Sequence, residues 1–190
     1  VATFPFKVLT MPTGYRISDQ HALHFVTFTI VEWIDVFTRR IYRDIVLDSL
    51  RYCQANKGLH VHAWVIMSNH VHAILSTPET ELSDVIRDFK GHTSKAIVKA
   101  VQQENESRRE WMLARFIVNA ISTARNDQFK VWTHDNHPLQ LQSFTIKQRA
   151  DYIHQNPVRA GWVDQPRDYL YSSARDYQDE PGLLKIDRLW

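Results

Sequence analysis

The sequence predicts an α+β fold, a ferredoxin-like antiparallel sheet with packed helices and additional helices toward the C-terminus. Three observations carry this: short stretches of period-two hydrophobicity, longer stretches with apolar residues three and four apart, and the order in which they alternate. Residues 22–31 alternate as a first strand, and 39–56 place Ile41, Ile45 and Leu50 at helical spacing. Residues 60–67 and 70–76 form a candidate hairpin turning at Ser68-Asn69. A second helix is predicted over 82–103, where Leu82, Val85, Phe89, Ile97 and Val101 recur on one face; Gly91-His92-Thr93 is where it would break or kink. Residues 104–110 are polar and are expected to form an exposed loop or frayed helix end. The apolar helical pattern returns over 111–124, and Lys130-Val-Trp-Thr133 is expected to supply the remaining strand. Strand, helix, two strands, helix, strand is the order of a ferredoxin-like core.

With 190 residues, 44% of them hydrophobic, the chain can bury one good core, and a single domain over 1–190 is expected. The net charge of +2 is too small to indicate a nucleic-acid partner by composition. The basic residues are grouped, however: Arg39, Arg40 and Arg43 in one place, Arg87, Lys90, Lys95 and Lys99 along a helix. Such groups suit a phosphate path, and equally a solvated face balanced by Glu81, Asp84 and Asp88. Cys53 is the only cysteine, which excludes an intrachain disulfide and a cysteine-rich zinc site. No stretch of about 18 apolar residues is present, and the N-terminal residues lack a secretory pattern, so a cytoplasmic protein without membrane contact is expected.

Two segments carry chemistry. In His70-Val71-His72 the imidazoles lie two residues apart on a strand and so share a face, where one divalent ion can reach both. The same alternation describes an ordinary half-buried strand. The second segment, 145–157, reads as a helix with Thr145 and Gln148 in capping-box spacing and an end near Asn156 imposed by Pro157, with Gly161 releasing the chain. Ile146, Ala150, Ile153 and Pro157 make its apolar stripe. Tyr152 and Asn156 stack one turn apart on the adjoining face, as a nucleophile and a ligand would, or as a boundary aromatic and a helix-terminal amide. His60 and His62 also share a face, which leaves a four-histidine structural zinc site as an alternative. His134-Asp135-Asn136-His137 reads as another ligand set or, more simply, as a turn before Pro138.

Together these segments resemble the single-tyrosine HUH transposases, the IS200-like family that includes the REP-associated tyrosine transposases. The resemblance rests on an ordered series: His24-Phe-Val-Thr-Phe-Thr-Ile30, Trp64-Val-Ile-Met-Ser-Asn-His-Val-His72, Phe89-Lys90 with Thr93-Ser94, the Trp132 segment, Tyr152-Ile-His-Gln-Asn-Pro-Val-Arg-Ala-Gly161, and Tyr169-Leu-Tyr-Ser-Ser-Ala174. It spans a core of about 14–184. Ser68 stands where many relatives carry proline, which makes the turn less rigid.

The resemblance implies an HUH endonuclease core that cleaves and rejoins single-stranded DNA near hairpins. Tyr152 would be the nucleophile, forming a 5′-phosphotyrosine intermediate. A divalent ion, Mg2+ or Mn2+, would be held by His70, His72 and Asn156. Arg87, Lys90, Arg149 and Arg159 would contact DNA, with Trp33 or Trp162 as exposed aromatics against unstacked bases. Trp64, Trp111 and Trp132 are expected in the core. Tyr169, Tyr171 and Tyr177 are rival nucleophiles by residue type. Many members of the family are dimers, so a homodimer is among the expected states. The alternatives are a non-catalytic DNA-binding regulator of the same fold, or a nuclease that activates water, for which His154 is the nearest base.

Overall fold

The computed structural model describes residues 17–122 and 128–190. The expected core start at Gly14 and the last residues of the helix expected to reach Ala124 lie outside the described residues.

Strand β1 (His24–Thr29) is followed by helix α1 (Arg40–Lys57), which ends where Gly58 takes the left-handed conformation at φ 64° and donates its N–H to the Cys53 carbonyl. Glycine has no Cβ to oppose that geometry. The hairpin follows as expected, β2 (His60–Ile66) and β3 (His70–Ser76), then α2 (Leu82–Gln103), α3 (Arg109–Ile121), β4 (Leu139–Gln140) and α4 (Ser143–Arg159). The sheet is antiparallel with order β2-β3-β1-β4, the ferredoxin-like arrangement predicted.

Strand periodicity divides the interior into two cores, one on each face of the sheet. Val71, Ala73 and Leu75 of β3 join Val26 and Phe28 of β1 in a core closed by α1, α2 and α3. On the opposite face Phe25, Val65 and Ile74 pack against Ala150 and Ile153 of α4. His70 and His72 have the parity of Ile74 and therefore belong to the α4 side. A bulge between Val61 and Ala63 resets the parity of β2, so that Val61 and Trp64 both reach the larger core.

Several expectations change. Residues 130–133 form only a single bridge, Ile30 to Trp132, and the regular edge pairing is made by Leu139–Gln140 with His24 and Phe25. Between these contacts the chain loops out, with His137 at φ 42° and Pro138 without an N–H to give to the ladder. Helix α2 runs unbroken through Gly91, because Phe89, Thr93 and Ile97 are buried on either side and outweigh about 1 kcal/mol of glycine cost. Residues 104–108 are a loop, but Glu106 is buried and accepts hydrogen bonds from Tyr42 and Arg108 at 3.1 and 3.2 Å. Trp111 is half-exposed rather than core, since α3 buries only Met112, Phe116 and Ala120. Trp64 and Trp132 are buried as expected.

Helix α4 begins earlier than expected: the box pairs Gln142 with Thr145, whose Oγ1 accepts the Gln142 N–H at 3.1 Å. It also continues past Pro157 to Arg159. Pro157 removes one helical bond but buries its ring, and Ala160 and Trp162 donate to the Asn156 and Pro157 carbonyls.

Phe28, fully buried against Phe89 at a ring distance of 5.2 Å, anchors the larger core. Phe28→Ala is expected to cost about 3–5 kcal/mol in urea denaturation.

Candidate active site

The hairpin turn places His70 at the start of β3, and the register sets Thr29 opposite His70 and Thr27 opposite His72. The two imidazole rings lie 4.6 Å apart between centroids. His72 Nδ1 is 2.8 Å from Thr27 Oγ1, and His70 Nδ1 is 2.7 Å from Asn69 Oδ1, which leaves Nε2 as the remaining nitrogen of each ring. Burial holds His70 below the ordinary histidine range. Burial, with His70 and the charge of Arg149, pushes His72 down to about 3. Both rings are therefore neutral at neutral pH, the state a metal ligand requires.

Helix α4 brings Tyr152 over this pair. Its ring is 5.4 Å from that of His72 and meets Phe25 edge-on at 6.0 Å. Arg149, Tyr152, Asn156 and Arg159 fall on one helical stripe, and this holds only because the helix continues through Pro157. The Arg159 guanidinium lies 5.4 Å from the Tyr152 ring centre and that of Arg149 5.3 Å from the Phe25 ring centre. Arg149, Tyr152 and Arg159 line an open groove of about 520 Å³ together with Lys147 and Gln155. The Tyr152 hydroxyl has no hydrogen-bond partner among the described residues, whereas the rival phenols are engaged. Tyr169 donates to the Ile66 carbonyl at 2.8 Å, Tyr171 to Asp44 at 3.0 Å and Tyr177 to the His62 carbonyl at 3.0 Å.

The donor set suits a divalent ion. Among the described residues no three His, Cys, Asp or Glu side chains gather into a site, so a third protein ligand beside the two histidines would have to be of another type. Asn156 Nδ2 donates to the Tyr152 carbonyl at 2.7 Å, leaving Oδ1 as its open atom one turn beyond Tyr152. Two neutral imidazoles and one amide oxygen, if they shared an ion, would leave coordination positions for water and phosphate, which suits Mg2+ or Mn2+.

Other candidates are placed elsewhere. Arg87 lies on α2, on the far side of the sheet, and pairs with Asp84 and Asp88. Lys90, also on α2, donates to the Thr133 carbonyl at 2.7 Å and to Asn136 Oδ1 at 2.6 Å, holding the 133–136 turn. His60 pairs with Asp187, and both ring nitrogens of His62 are occupied, by the Asp187 carbonyl and Ser76. His60 sits opposite Ser76, at the end of the hairpin away from His70, so the four histidines do not converge. His134–His137 is a turn, in which His137 donates its N–H to Asp135. His154 is buried with Nε2 2.9 Å from Ser173 Oγ, on the side of α4 away from Tyr152. Trp33 and Trp162 are exposed, and Trp33 is edge-on to His70 at 6.1 Å. Asn69, Thr27 and Phe25 complete the site and were not singled out by sequence reasoning. Asn69 carried a usable signal, its position just before the first histidine. The roles of Thr27 and Phe25 depend on strand register.

A family model described as transposase IS200 like matches residues 18–136, more than half the chain. The chain belongs to the IS200-like transposase family. The matched region includes His70 and His72 and stops before α4, which carries Tyr152 and Asn156. A Haemophilus influenzae protein described as a REP-associated tyrosine transposase is 26% identical over 118 residues. That alignment covers 60% of this chain and 59% of the relative, so the chain spans less than two thirds of it. The structure of a REP-associated tyrosine transposase bound to a REP hairpin aligns over 95% of this chain and 94% of that one, with a TM-score of 0.59 at 17% identity. The two share the fold, a four-stranded antiparallel sheet with helices. A transposase structure from Deinococcus radiodurans aligns over 77% of this chain and 97% of that one, at TM-score 0.44 and 18% identity. No helix among the described residues is long and apolar enough to cross a membrane.

Burial pushes His154 down to about 4 from the usual 6.5. The unfolded chain then binds a proton that the folded one does not, so stability is full above pH 6.5 and falls as pH drops toward 4. Urea midpoints measured across that window are expected to decline in the wild type and to decline less steeply in His154→Gln.

Proposed function

We propose that this transposase is a metal-dependent single-stranded DNA transesterase that cuts and rejoins DNA near hairpins through a 5′-phosphotyrosine intermediate. The observation that supports it most is the meeting of two neutral imidazoles with an unengaged phenol, His72 and Tyr152 being 5.4 Å apart between ring centroids. His70, His72 and Asn156 would hold Mg2+ or Mn2+, which when bound polarises a non-bridging phosphate oxygen and aligns the diester.

The remaining work falls to side chains. Arg149 and Arg159, flanking Tyr152 on its stripe, hold the DNA backbone in the groove through charge-assisted hydrogen bonds. Tyr152 Oη bonds to phosphorus as the bond to the 3′ oxygen breaks, its proton leaves to solvent, and the departing strand takes up a proton as a 3′-hydroxyl. One phosphoester replaces another, so a second 3′-hydroxyl can reverse the step and join strands without an energy source. The rings of Phe25 and His72 hold the tyrosine from below. A water-activating nuclease finds no base at His154, which is buried against Ser173. The likeness in fold to a hairpin-bound structure supports a hairpin substrate, and the two cores on one sheet support a single domain.

The test is a denaturing gel with Mn2+ and a labelled oligonucleotide that folds into a hairpin with a single-stranded arm. A protein–DNA adduct is expected in the wild type and at least about 100-fold less in Tyr152→Phe and His70→Ala; an undiminished adduct in Tyr152→Phe would contradict the reading. In fluorescence anisotropy with the same oligonucleotide, Arg149→Ala and Arg159→Ala are each expected to weaken binding severalfold and to flatten its salt dependence, while Arg87→Ala leaves both nearly unchanged.

A further inference from the structure

The environment of Asn69 determines which nitrogen of His70 carries the proton. Asn69 Nδ2 lies 3.2 Å from the Trp33 carbonyl and 3.0 Å from Asp35 Oδ1. Both are acceptors only, so the amide nitrogen must face them; the reverse orientation would set oxygen against two oxygens. Asn69 Oδ1 is then the atom 2.7 Å from His70 Nδ1. An amide oxygen cannot donate, so His70 Nδ1 must carry the hydrogen, and Nε2 keeps its lone pair.

The acceptors are themselves held. Ile30 donates its N–H to the Asn69 carbonyl at 2.9 Å and Phe37 to that of Ser68 at 2.8 Å, which joins the hairpin turn to the segment after β1. Arg108 donates to the Asp35 carbonyl at 3.2 Å. Glu32 and Trp33 adopt positive φ, and Glu32 is fixed by Arg115 and Asn119 of α3 at 2.6 Å each. His72 differs, because the Thr27 hydroxyl beside its Nδ1 can donate or accept and so allows either tautomer.

We propose that Asn69 is a positioning residue: its amide holds the His70 imidazole as the Nδ1–H tautomer, with Nε2 bare and available to a divalent ion. The proposal rests on the reading of His70 as a metal ligand. Carbonyl partners on the second nitrogen of a ligating histidine fix ring orientation and raise its basicity, and their loss typically lowers metal affinity roughly 10–100-fold.

Long-range proton–nitrogen NMR on histidine-labelled, metal-free protein at pH 8 reads the tautomer directly. Protonated Nδ1 and bare Nε2 are expected at His70 in the wild type. Asn69→Ala should turn this into a mixture of tautomers and weaken Mn2+ binding, measured by electron paramagnetic resonance, by roughly 10–100-fold. A proton on Nε2 in the wild type overturns the proposal even where a variant fails to fold, and so does an unchanged His70 pattern in Asn69→Ala. The expected tautomer in a wild-type protein that binds no Mn2+ would overturn the metal reading beneath the proposal, and the two failures are thereby told apart.

Discussion

Pairing of β3 with β1 is the constraint on which the site depends. With Thr27 opposite His72 and Thr29 opposite His70, both histidines face α4 while Val71, Ala73 and Leu75 enter the larger core. A slip of one residue would drive both imidazoles into apolar surroundings and turn three buried apolar side chains toward the groove, so the register is strongly specified. The hairpin turn reinforces it through the Met67 N–H, which donates to the His70 carbonyl at 2.8 Å. Ser68 lies in this turn, and the Phe37 and Ile30 N–H groups brace it from outside.

The two faces of the sheet divide the tasks of stability and chemistry. One is dry, with Phe28, Trp64 and Trp132 buried beneath α1 and α2. The other carries the smaller cluster of Phe25, Val65, Ile74, Ala150 and Ile153, just sufficient to seat α4 and leave its neighbouring stripe at the edge of the layer. Tyr152 is half-buried for that reason, its ring seated against Phe25 and His72, which suits the proposed attack on a phosphodiester. Arg159 joins the stripe because α4 passes through Pro157, so a residue that sequence reasoning treats as a helix stop here serves the site.

The order of strands and helices, the face shared by His70 and His72, and the spacing of Tyr152 from Asn156 are local properties and could be read from the sequence. Features set by partners distant in the chain could not. The short edge strand at Leu139–Gln140 outcompetes the more apolar residues 130–133 because pairing depends on where the chain returns to β1, not on propensity. Lys90 looked like a phosphate contact until the turn at 133–136 supplied acceptors for it, and Glu106 looked solvated until Tyr42 and Arg108 enclosed it. Asn69 was legible only as a turn residue, since its hydrogen-bond partners Trp33 and Asp35 lie more than thirty positions away.

The account stands or falls on one geometric claim, that His70 and His72 hold a divalent ion beneath Tyr152. Crystals of the protein grown with Mn2+ and a hairpin oligonucleotide, measured at the manganese absorption edge, test it most directly. The account predicts an anomalous peak bonded to Nε2 of both histidines, with the Tyr152 hydroxyl directed at the adjacent phosphate. A peak on other residues, or a DNA strand bound on the α2 side of the sheet away from Tyr152, would contradict it.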